Sequence, residues 1–498
     1  MRFILIISIF LITIISSVSG QGYFEITDDI REAYQLTISL KKEKALQKIA
    51  DIKQTDPGNY LVYHIENYVD FFEVFINEDE DTFKRLEKNK DKRIDKIKEG
   101  DKSSPFYRFS QAEIQLQWAL ARSKFNQKFK AARELLNANG LLEENAALHP
   151  DFIYNYKSLS IIHVLSRSVP GLLRYLFNIR GSIEEGTKEI ATLYEASQKN
   201  GMMFQDEIVV IYTYILYYQN NKKEEALDLI QKHFSNTTTN HPLISFIAAN
   251  FSQKMGNNDL AINMLTDRIQ SEDATPFYYL DFLIGKFKLY RLDEDADQYL
   301  LKFINNFEGQ HYIREAYQKM AWHQLVIHDD LAGYKKYMSM VTDRGNDLID
   351  EDKQAEKEAK LERVPHPDLL KARLLFDGAY YNRAYNLLIK KSVEFQDPYD
   401  QMEYNYRMGR ITHLLKNYTD AINYYVYTIN KSEGESYIPC NAALQIALIL
   451  EDQERYAQAL HYLDICLDMS PEEYKNSLHQ KAKSAKLRVK EIMKKKPE

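Results

Sequence analysis

Alanines recur along the second half of the sequence at a nearly constant interval. The spacings between successive members are 35, 35, 36, 52, 37 and 38 residues. The series consists of Ala226, Ala261, Ala296, Ala332, Ala384, Ala421 and Ala459. A period of this length is typical of repeated helix pairs, in which each pair covers the apolar face of the next. An ordinary helical bundle also places alanines between helices, but it requires no constant interval. We therefore predict an all-α array of stacked helix pairs, and we name these seven residues the marker alanines.

The residues around two marker alanines define the repeat more closely. Gly409 is followed twelve positions later by Ala421, and Tyr425 stands four positions further on. The last pair has the corresponding residues Ala447, Tyr456, Ala459, Leu463, Cys466 and Pro471. Both stretches resemble the tetratricopeptide repeat (TPR) pattern. The resemblance implies an α-solenoid, a TPR-like superhelix of antiparallel helix pairs. Because two helices approach closely only where side chains are short, we expect Gly409 to face Ala421 and Ala447 to face Ala459.

The regularity of the repeat changes along the chain and suggests a domain organisation. A signal peptide at 1–20 precedes an irregular helical region at 21–200 that contains TPR-like pairs. The regular array occupies 201–490, and a lysine-rich tail follows at 491–498. The wide interval in the alanine series coincides with the charged segment 343–363, whose mixed charges at helical spacing predict a solvated helical insertion without a site.

Two helix pairs are predicted within the irregular region. Ala33 and Ala45 have the spacing of one repeat, and Leu120, Phe129 and Ala132 fit a second. The intervals do not continue smoothly into the regular array, so the assignment of these pairs rests on the local pattern alone.

The N-terminal residues have the pattern of an export signal. Arg2 precedes an apolar run at 3–15 and small residues at 16–20, which predicts cleavage before Gln21. An uncleaved membrane anchor is the alternative, but spanning the hydrocarbon requires about 20 apolar residues. We expect an exported protein, periplasmic or extracellular.

Composition and motifs narrow the classes of function. With 17 Gly and 12 Pro in 498 residues, the chain has few of the turns that an all-β fold needs. The net charge of −7 without a basic stripe disfavours nucleic-acid binding. Common nucleotide-binding, zinc-protease and hydrolase motifs do not occur, so we expect no catalytic residues, no cofactor and no enzymatic activity. An enzyme with an unrecognised site in the irregular region stays open as an alternative.

One pair of histidines resembles a set of metal ligands. His323 and His328 stand close in sequence to Asp329. The two histidines are five positions apart, about 140° around a helix, and so should not share a face. We therefore interpret them as structural or surface residues and expect no metal site.

An apolar segment interrupts the irregular region. Residues 164–177 contain a Pro-Gly pair, which predicts two short apolar helices. The stretch 154–194 resembles a segment of the eukaryotic TPR family implicated in inclusion-body clearance and lipid droplets, without a catalytic motif. The alternative function is therefore a peripheral membrane or envelope-associated protein that docks through 164–177.

The chain has two cysteines, and both are placed in the last helix pair. Cys440 and Cys466 lie 13 residues on either side of Gln453, at the centre of the predicted turn. They are therefore level in an antiparallel hairpin and point into it. In an exported protein this placement allows either a disulfide or two buried free thiols.

The resemblance to TPR proteins also implies a binding surface, since the first helix of each pair lines the concave face in that family. Transferred to the pairs around Ala332, Ala384 and Ala421, the implied residues are Arg314, Tyr317, His366, Arg373, Phe376, Tyr406, Arg410 and His413. Arginines beside aromatic rings suit a carboxylate or an acidic extended peptide. The alternative is that they pair with acidic neighbours and merely solubilise this face. We predict a non-catalytic scaffold. Through this surface it is expected to bind a protein or peptide partner that has an acidic or carboxylate-terminated segment.

Overall fold

A computed structural model describes residues 22–165, 181–234, 241–268, 273–431 and 436–495. In this part of the chain, 24 α-helices pack as consecutive pairs. The predicted all-α fold of stacked helix pairs is thereby confirmed. The signal peptide at 1–20 and nearly all of the segment 164–177 lie outside the described residues.

The described residues divide into two compact units. The first comprises 22–222 except 76–79, together with 273–275. Its helices are α1 (Asp28–Ile38), α2 (Lys42–Thr55), α3 (Leu61–Asn77), α4 (Glu80–Lys98), α5 (Pro105–Lys124), α6 (Lys128–Leu148), α7 (Tyr156–Leu165), α8 (Ile183–Asn200) and α9 (Gln205–Tyr218). Aromatic rings such as Tyr34, Phe109 and Phe204 fill its core.

The second unit contains the remaining described residues, up to 495. Its helices are α10 (Lys223–Phe234), α11 (Pro242–Lys254), α12 (Asn258–Thr266), α13 (Tyr279–Arg291), α14 (Ala296–Asn306), α15 (Ile313–Ile327), α16 (Leu331–Ser339), α17 (Asp350–Leu361), α18 (Pro367–Asp377), α19 (Tyr381–Leu388), α20 (Pro398–Leu414), α21 (Tyr418–Asn430), α22 (Tyr437–Asp452), α23 (Tyr456–Asp468) and α24 (Lys475–Lys495). Apolar clusters follow one another along these pairs, as expected of an array whose pairs cover each other.

The same turn of three residues joins the helices of seven pairs. In each turn, the residue two positions before the second helix has a left-handed backbone conformation. These residues are Leu40, Asn126, Gly256, Asp329, Ala379, Lys416 and Glu454. Two of the turns belong to the first unit and five to the second. The sequence of the first unit is irregular, yet its pairs α1–α2 and α5–α6 have the same connection as the regular array.

The predicted register of the first unit is correct for one pair and wrong for the other. Ala33 and Ala45 are fully buried between α1 and α2. In the second pair, Leu120 and Phe129 are 55% and 95% exposed, and Ala132 is also exposed. The pair α5–α6 therefore forms in a different register from the one predicted.

Six of the seven marker alanines are fully buried, and Ala332 is the exception. Ala384 and Ala421 are the fourth residues of α19 and α21. The fourth residue of α16 is Tyr334, which is buried, whereas Ala332 is exposed. The sequence pattern therefore places the marker of this pair two positions too early. In this pair, a tyrosine occupies the position that an alanine occupies in the other pairs.

Gly409 allows α20 and α21 to approach closely, but through a different neighbour from the one expected. A Cβ atom at Gly409 would lie 2.7 Å from the ring of Tyr425. Tyr425 is fully buried, so its ring has little freedom to move away. The absence of a side chain at Gly409 thus makes room for the Tyr425 ring. The expected neighbour, Ala421, is not the residue nearest to this position.

The insertion at 343–363 is not wholly solvated, contrary to the prediction. Asp352 of α17 is fully buried and accepts hydrogen bonds from the backbone N–H groups of Tyr312 and Glu315, at 2.7 and 2.9 Å. Ala355 is also fully buried. Because the first N–H groups of a helix lack partners within it, Asp352 supplies them for α15. One face of the insertion is therefore part of the second unit's core.

Among the described residues, none of the helices combines the length and the apolar character needed to span a membrane.

Candidate functional site

The side chains of the candidate site belong to three helices of the second unit: α15, α18 and α20. Both α18 and α20 begin with a proline whose preceding residue caps the helix. His366 accepts a hydrogen bond from the N–H of Asp368, and the Asp397 carboxylate accepts from Tyr399 and Asp400. A fixed proline φ and a satisfied first turn define where each helix starts. The positions of Arg373 and Arg410 along their helices follow from these starts.

Four basic residues lie together on these helices, and we name them the cationic cluster: Lys319, Arg373, Arg407 and Arg410. Lys319 and Arg373 both lie over the ring of Trp322, at 3.8 and 4.6 Å from its centroid. The charge of Arg407 acts on both Arg373 and Arg410. The cluster therefore concentrates positive charge in a protein whose net charge is −7.

Arg373 has aromatic support but no carboxylate partner. Its guanidinium lies over Trp322, and the side chain is partly accessible to solvent. Trp322 in turn is held by Glu358 of α17, which accepts a hydrogen bond from the indole nitrogen at 2.6 Å. Within the described residues, Arg373 forms no ion pair. Its donors are therefore available to a ligand.

Arg410 has a similar environment on the next first helix of the array. Its guanidinium lies 4.6 Å from the ring centroid of Phe376 and donates a hydrogen bond of 3.0 Å to the hydroxyl of Tyr406. That hydroxyl also accepts from Asn441 of α22, at 2.7 Å, so its position is fixed. Arg410 has no ion pair with any residue that the structure describes. The two arginines thus share one property: aromatic rings position them and neither forms an ion pair, although the negative charges of Glu358 and Asp377 act on Arg373.

Two carboxylates near the cluster are paired with its own members. Glu403 binds Arg407 at 2.7 Å. Glu315 lies between Lys286 and Lys319, at 2.9 and 3.3 Å. These pairs neutralise Arg407 and share one negative charge between two lysines. Arg373 and Arg410 add two charges without an ion pair, and the Glu358 carboxylate, which accepts hydrogen bonds from Gln318 and Trp322, acts on Arg373.

Lys319 is the titratable member of the cluster. The pKa of its ammonium group is lowered to about 8, chiefly by burial; the positive charges of Lys286 and Arg373 add to this effect, and the carboxylates of Glu315 and Glu358 oppose it. A buried ammonium group is less well solvated than one in water, which favours its neutral form. Lys319 is therefore the one member of the cluster whose charge changes near neutral pH.

Of the eight residues predicted to bind a partner, five lie at or beside the cluster. Arg373, Phe376, Tyr406 and Arg410 are joined by the contacts described above. His413 is next to Arg410, whose charge lowers the histidine pKa together with burial, the larger cause. These five side chains lie together, but Tyr406 is buried and supports Arg410 from beneath instead of reaching the surface. Their binding role stays a prediction.

The other three predicted residues have different environments. Arg314 is paired with Glu356 of α17. Tyr317 is buried within the apolar cluster of α13–α16. His366 caps α18, and its ring packs against Phe395. Arg314 matches the alternative in which an arginine of this face is neutralised by an acidic neighbour.

Lys319 and Trp322 were missed by the sequence analysis. The marker Ala332 sets the predicted register of the pair α15–α16. In the structure, the residue buried at the marker position of α16 is Tyr334. When the repeat register is shifted by the same two residues, the binding position predicted for Tyr317 falls on Lys319. The left-handed turn residues Asp329, Ala379 and Lys416 align the three pairs in the structure, but they have no residue type in common by which the sequence alone could align them.

The cysteines are level in the last helix pair, as predicted. Both are fully buried, and their sulfur atoms are 3.4 Å apart. A disulfide would require about 2.0 Å. The two thiols are free in the structure, which corresponds to the second of the two alternatives.

Two groups of side chains in the described residues are arranged in a way that could hold a metal ion. One consists of Asp297, His323 and His328, and the other of His163, Glu185 and Glu189. The rings of His323 and His328 are only 5.0 Å apart. The prediction that their spacing keeps them on separate faces is therefore wrong, because His328 caps the end of α15 and begins the turn.

Comparisons with known proteins identify no family. No family model matches the chain, and no curated protein matches its sequence. A solved structure of Naa15/Naa10 bound to HypK-THB shows 12% identity over 94% of this chain and 67% of the other, with a TM-score of 0.26. The structure of yeast Tom70 shows 14% identity over 93% and 89% of the two chains, with a TM-score of 0.24. The description of the fold rests on the helix pairs of the chain itself.

Proposed function

We propose that this chain is a non-catalytic scaffold that binds a carboxylate-bearing segment of a protein or peptide partner at the cationic cluster. The observation that supports this proposal is the pair Arg373 and Arg410. Both are held by aromatic rings, and neither has a carboxylate partner among the described residues. The cluster contains donors and apolar rings, which bind and orient a partner.

The chemistry of the two arginines defines the ligand class. A guanidinium group presents parallel N–H donors that match the two oxygens of a carboxylate. The rings of Trp322 and Phe376 limit the movement of the guanidinium groups, and the partly exposed Phe376 provides apolar area beside Arg410. A partner segment with an acidic side chain or a free C-terminus, and an apolar residue beside it, would use both features.

The ligand class can be tested with paired peptides. Peptides containing Asp or Glu would be compared with the same peptides containing Asn or Gln, and each in free-carboxylate and amidated form. We expect binding to the acidic or free-carboxylate members, and weaker binding as salt screens the charges. Equal binding of the amide and acid members of all pairs would contradict the proposal.

We also propose that the scaffold acts in an exported compartment, on the strength of the apolar run at 3–15 and the small residues at 16–20. The N-terminus of the protein isolated from its host should then begin at Gln21. An intact Met1 on the mature intracellular protein would contradict export.

A further inference from the structure

Asp297, His323 and His328 form a compact group at one end of the pair α15–α16. One ligand atom from each of the three side chains lies within 4.8 Å of the other two. His323 belongs to α15, His328 caps its C-terminal end, and Asp297 is in the first turn of α14. The left-handed residue Asp329 follows directly and turns the chain into α16. The group is therefore built from three separate places in the second unit, each fixed by a helix end or a turn.

His323 has one nitrogen atom without a partner. Its side chain is fully buried, and Nε2 lies 2.9 Å from the backbone oxygen of Glu294. A carbonyl oxygen can only accept a hydrogen bond, so Nε2 has the proton and Nδ1 has a free lone pair. Among the described residues, Nδ1 has no hydrogen-bond partner. A buried acceptor is rarely left in this state, so it needs an explanation in terms of a ligand.

The contact with Glu294 is also the one that metal-binding histidines usually make. Such a histidine donates its second ring N–H to a backbone carbonyl or a carboxylate, which fixes the tautomer and the orientation of the ring. The Glu294 carbonyl provides this contact for His323. The lone pair of Nδ1 is therefore held in one direction before any ligand arrives.

The other two side chains are accessible from solvent. His328 is exposed and Asp297 is partly exposed. Within the described residues, Asp297 forms no ion pair with a lysine or arginine. An ion could thus reach the group from solvent. His328 and Asp297 also have the freedom to close the remaining distance by rotating their side chains.

We propose that Asp297, His323 and His328 bind a divalent transition-metal ion of the zinc type. Two imidazoles and one carboxylate match the ligands of Zn²⁺, which lie at about 2.0–2.2 Å from the metal. Mg²⁺ and Ca²⁺ favour oxygen ligands and are poorly matched. Three protein ligands leave a position for water. The ion would connect α14 to the end of α15, a role independent of the cationic cluster.

The second group, in the first unit, lacks the property that supports this proposal. His163 has Glu189 at 2.9 Å from Nδ1 and Glu143 at 3.5 Å from Nε2. Both of its nitrogens thus have carboxylate partners, and the group is an ion-pair network. It serves as the internal control.

The test is titration of the full, untagged and chelator-treated chain with Zn²⁺, followed by calorimetry. We expect one ion per chain. Asp297→Asn and His328→Ala should each lower its affinity by at least about tenfold, since even the loss of an outer-shell partner has that effect. His163→Ala should leave this binding unchanged. Both test substitutions are at accessible positions, and their circular dichroism and unfolding transitions should match those of the unaltered chain.

Cobalt provides a second measurement on the same chain. Co²⁺ in place of Zn²⁺ should give visible absorption bands of a low-coordinate site, and His328→Ala should abolish them. No Zn²⁺ binding by the folded chain, or an affinity in Asp297→Asn and His328→Ala equal to that of the unaltered chain, would overturn the proposal.

Discussion

Carboxylate-paired cations in the core of the first unit contrast with two ring-supported arginines of the second unit. In the first unit, the Lys157 ammonium group lies 2.6 Å from Glu113 and 2.7 Å from Glu207. Arg93 is bound at 2.6 Å by Asp70. In the second unit, Arg373 and Arg410 rest on aromatic rings, and no ion pair is formed by either within the described residues.

The difference separates charges that serve the fold from charges that are available for binding. A buried cation between two carboxylates cannot be removed without leaving two unpaired negative charges in the core. An arginine on a ring, partly open to water, leaves no such charge behind. Stability and binding should therefore depend on different basic residues in this chain.

Replacing Lys157 with Met should have the largest effect on stability. Glu113 and Glu207 would be left near each other without their shared cation, and the free energy of unfolding should fall by about 3–5 kcal/mol. Chemical unfolding measures this change. Lys98→Met is the control, since Lys98 forms an exposed pair with Asp95. A loss below about 1 kcal/mol for Lys157→Met would remove the contrast between the units.

Replacing Ala421 with Leu should have an intermediate effect. Ala421 is fully buried, so the larger side chain overpacks the contact between helices and lowers the free energy of unfolding by about 1–3 kcal/mol. Ala332→Leu is the matched control, because Ala332 is exposed and should tolerate the change. Similar melting temperatures for the two variants would contradict the corrected register.

The pH dependence of binding should be smaller still. With a pKa of about 8, Lys319 is protonated below that pH and neutral above it, whereas the arginines stay charged. The affinity for an acidic peptide should therefore fall as the pH rises through about 8, by no more than about 1 kcal/mol of binding free energy. Lys319→Arg keeps the charge and should make the affinity independent of pH in this range. An affinity that stays constant or rises over this range in the unaltered chain would show that Lys319 does not contribute.

The sequence predicts the helix pairs because stacking requires small residues at a fixed period. It identifies Arg373 and Arg410 for the same reason, since both stand at one position of successive repeats. It fails at α15, where Tyr334 replaces the alanine that sets the register. A search for recurring alanines cannot reveal this exchange, because alanine and tyrosine can both fill the buried position.

The remaining errors come from contacts that are distant in sequence. Asp352 and its neighbours in the sequence are charged, so the local pattern predicts that Asp352 is exposed to solvent. In the structure, it accepts hydrogen bonds from the N–H groups at the start of α15. The geometry of an ideal helix predicts that His323 and His328 lie on different faces. That geometry no longer holds at the helix end, where His328 begins the turn into α16.

The most direct test of the central claim combines binding and stability in one variant. Arg373→Gln with Arg410→Gln keeps part of each side chain over its ring and removes both charges. We expect the free energy of unfolding to change by less than about 1 kcal/mol per site, while affinity for the acidic peptides selected on the unaltered chain is lost. Arg488→Gln, which removes an exposed arginine paired with Glu451, should retain that affinity. Unchanged affinity in the folded double variant would show that these arginines are not the binding site.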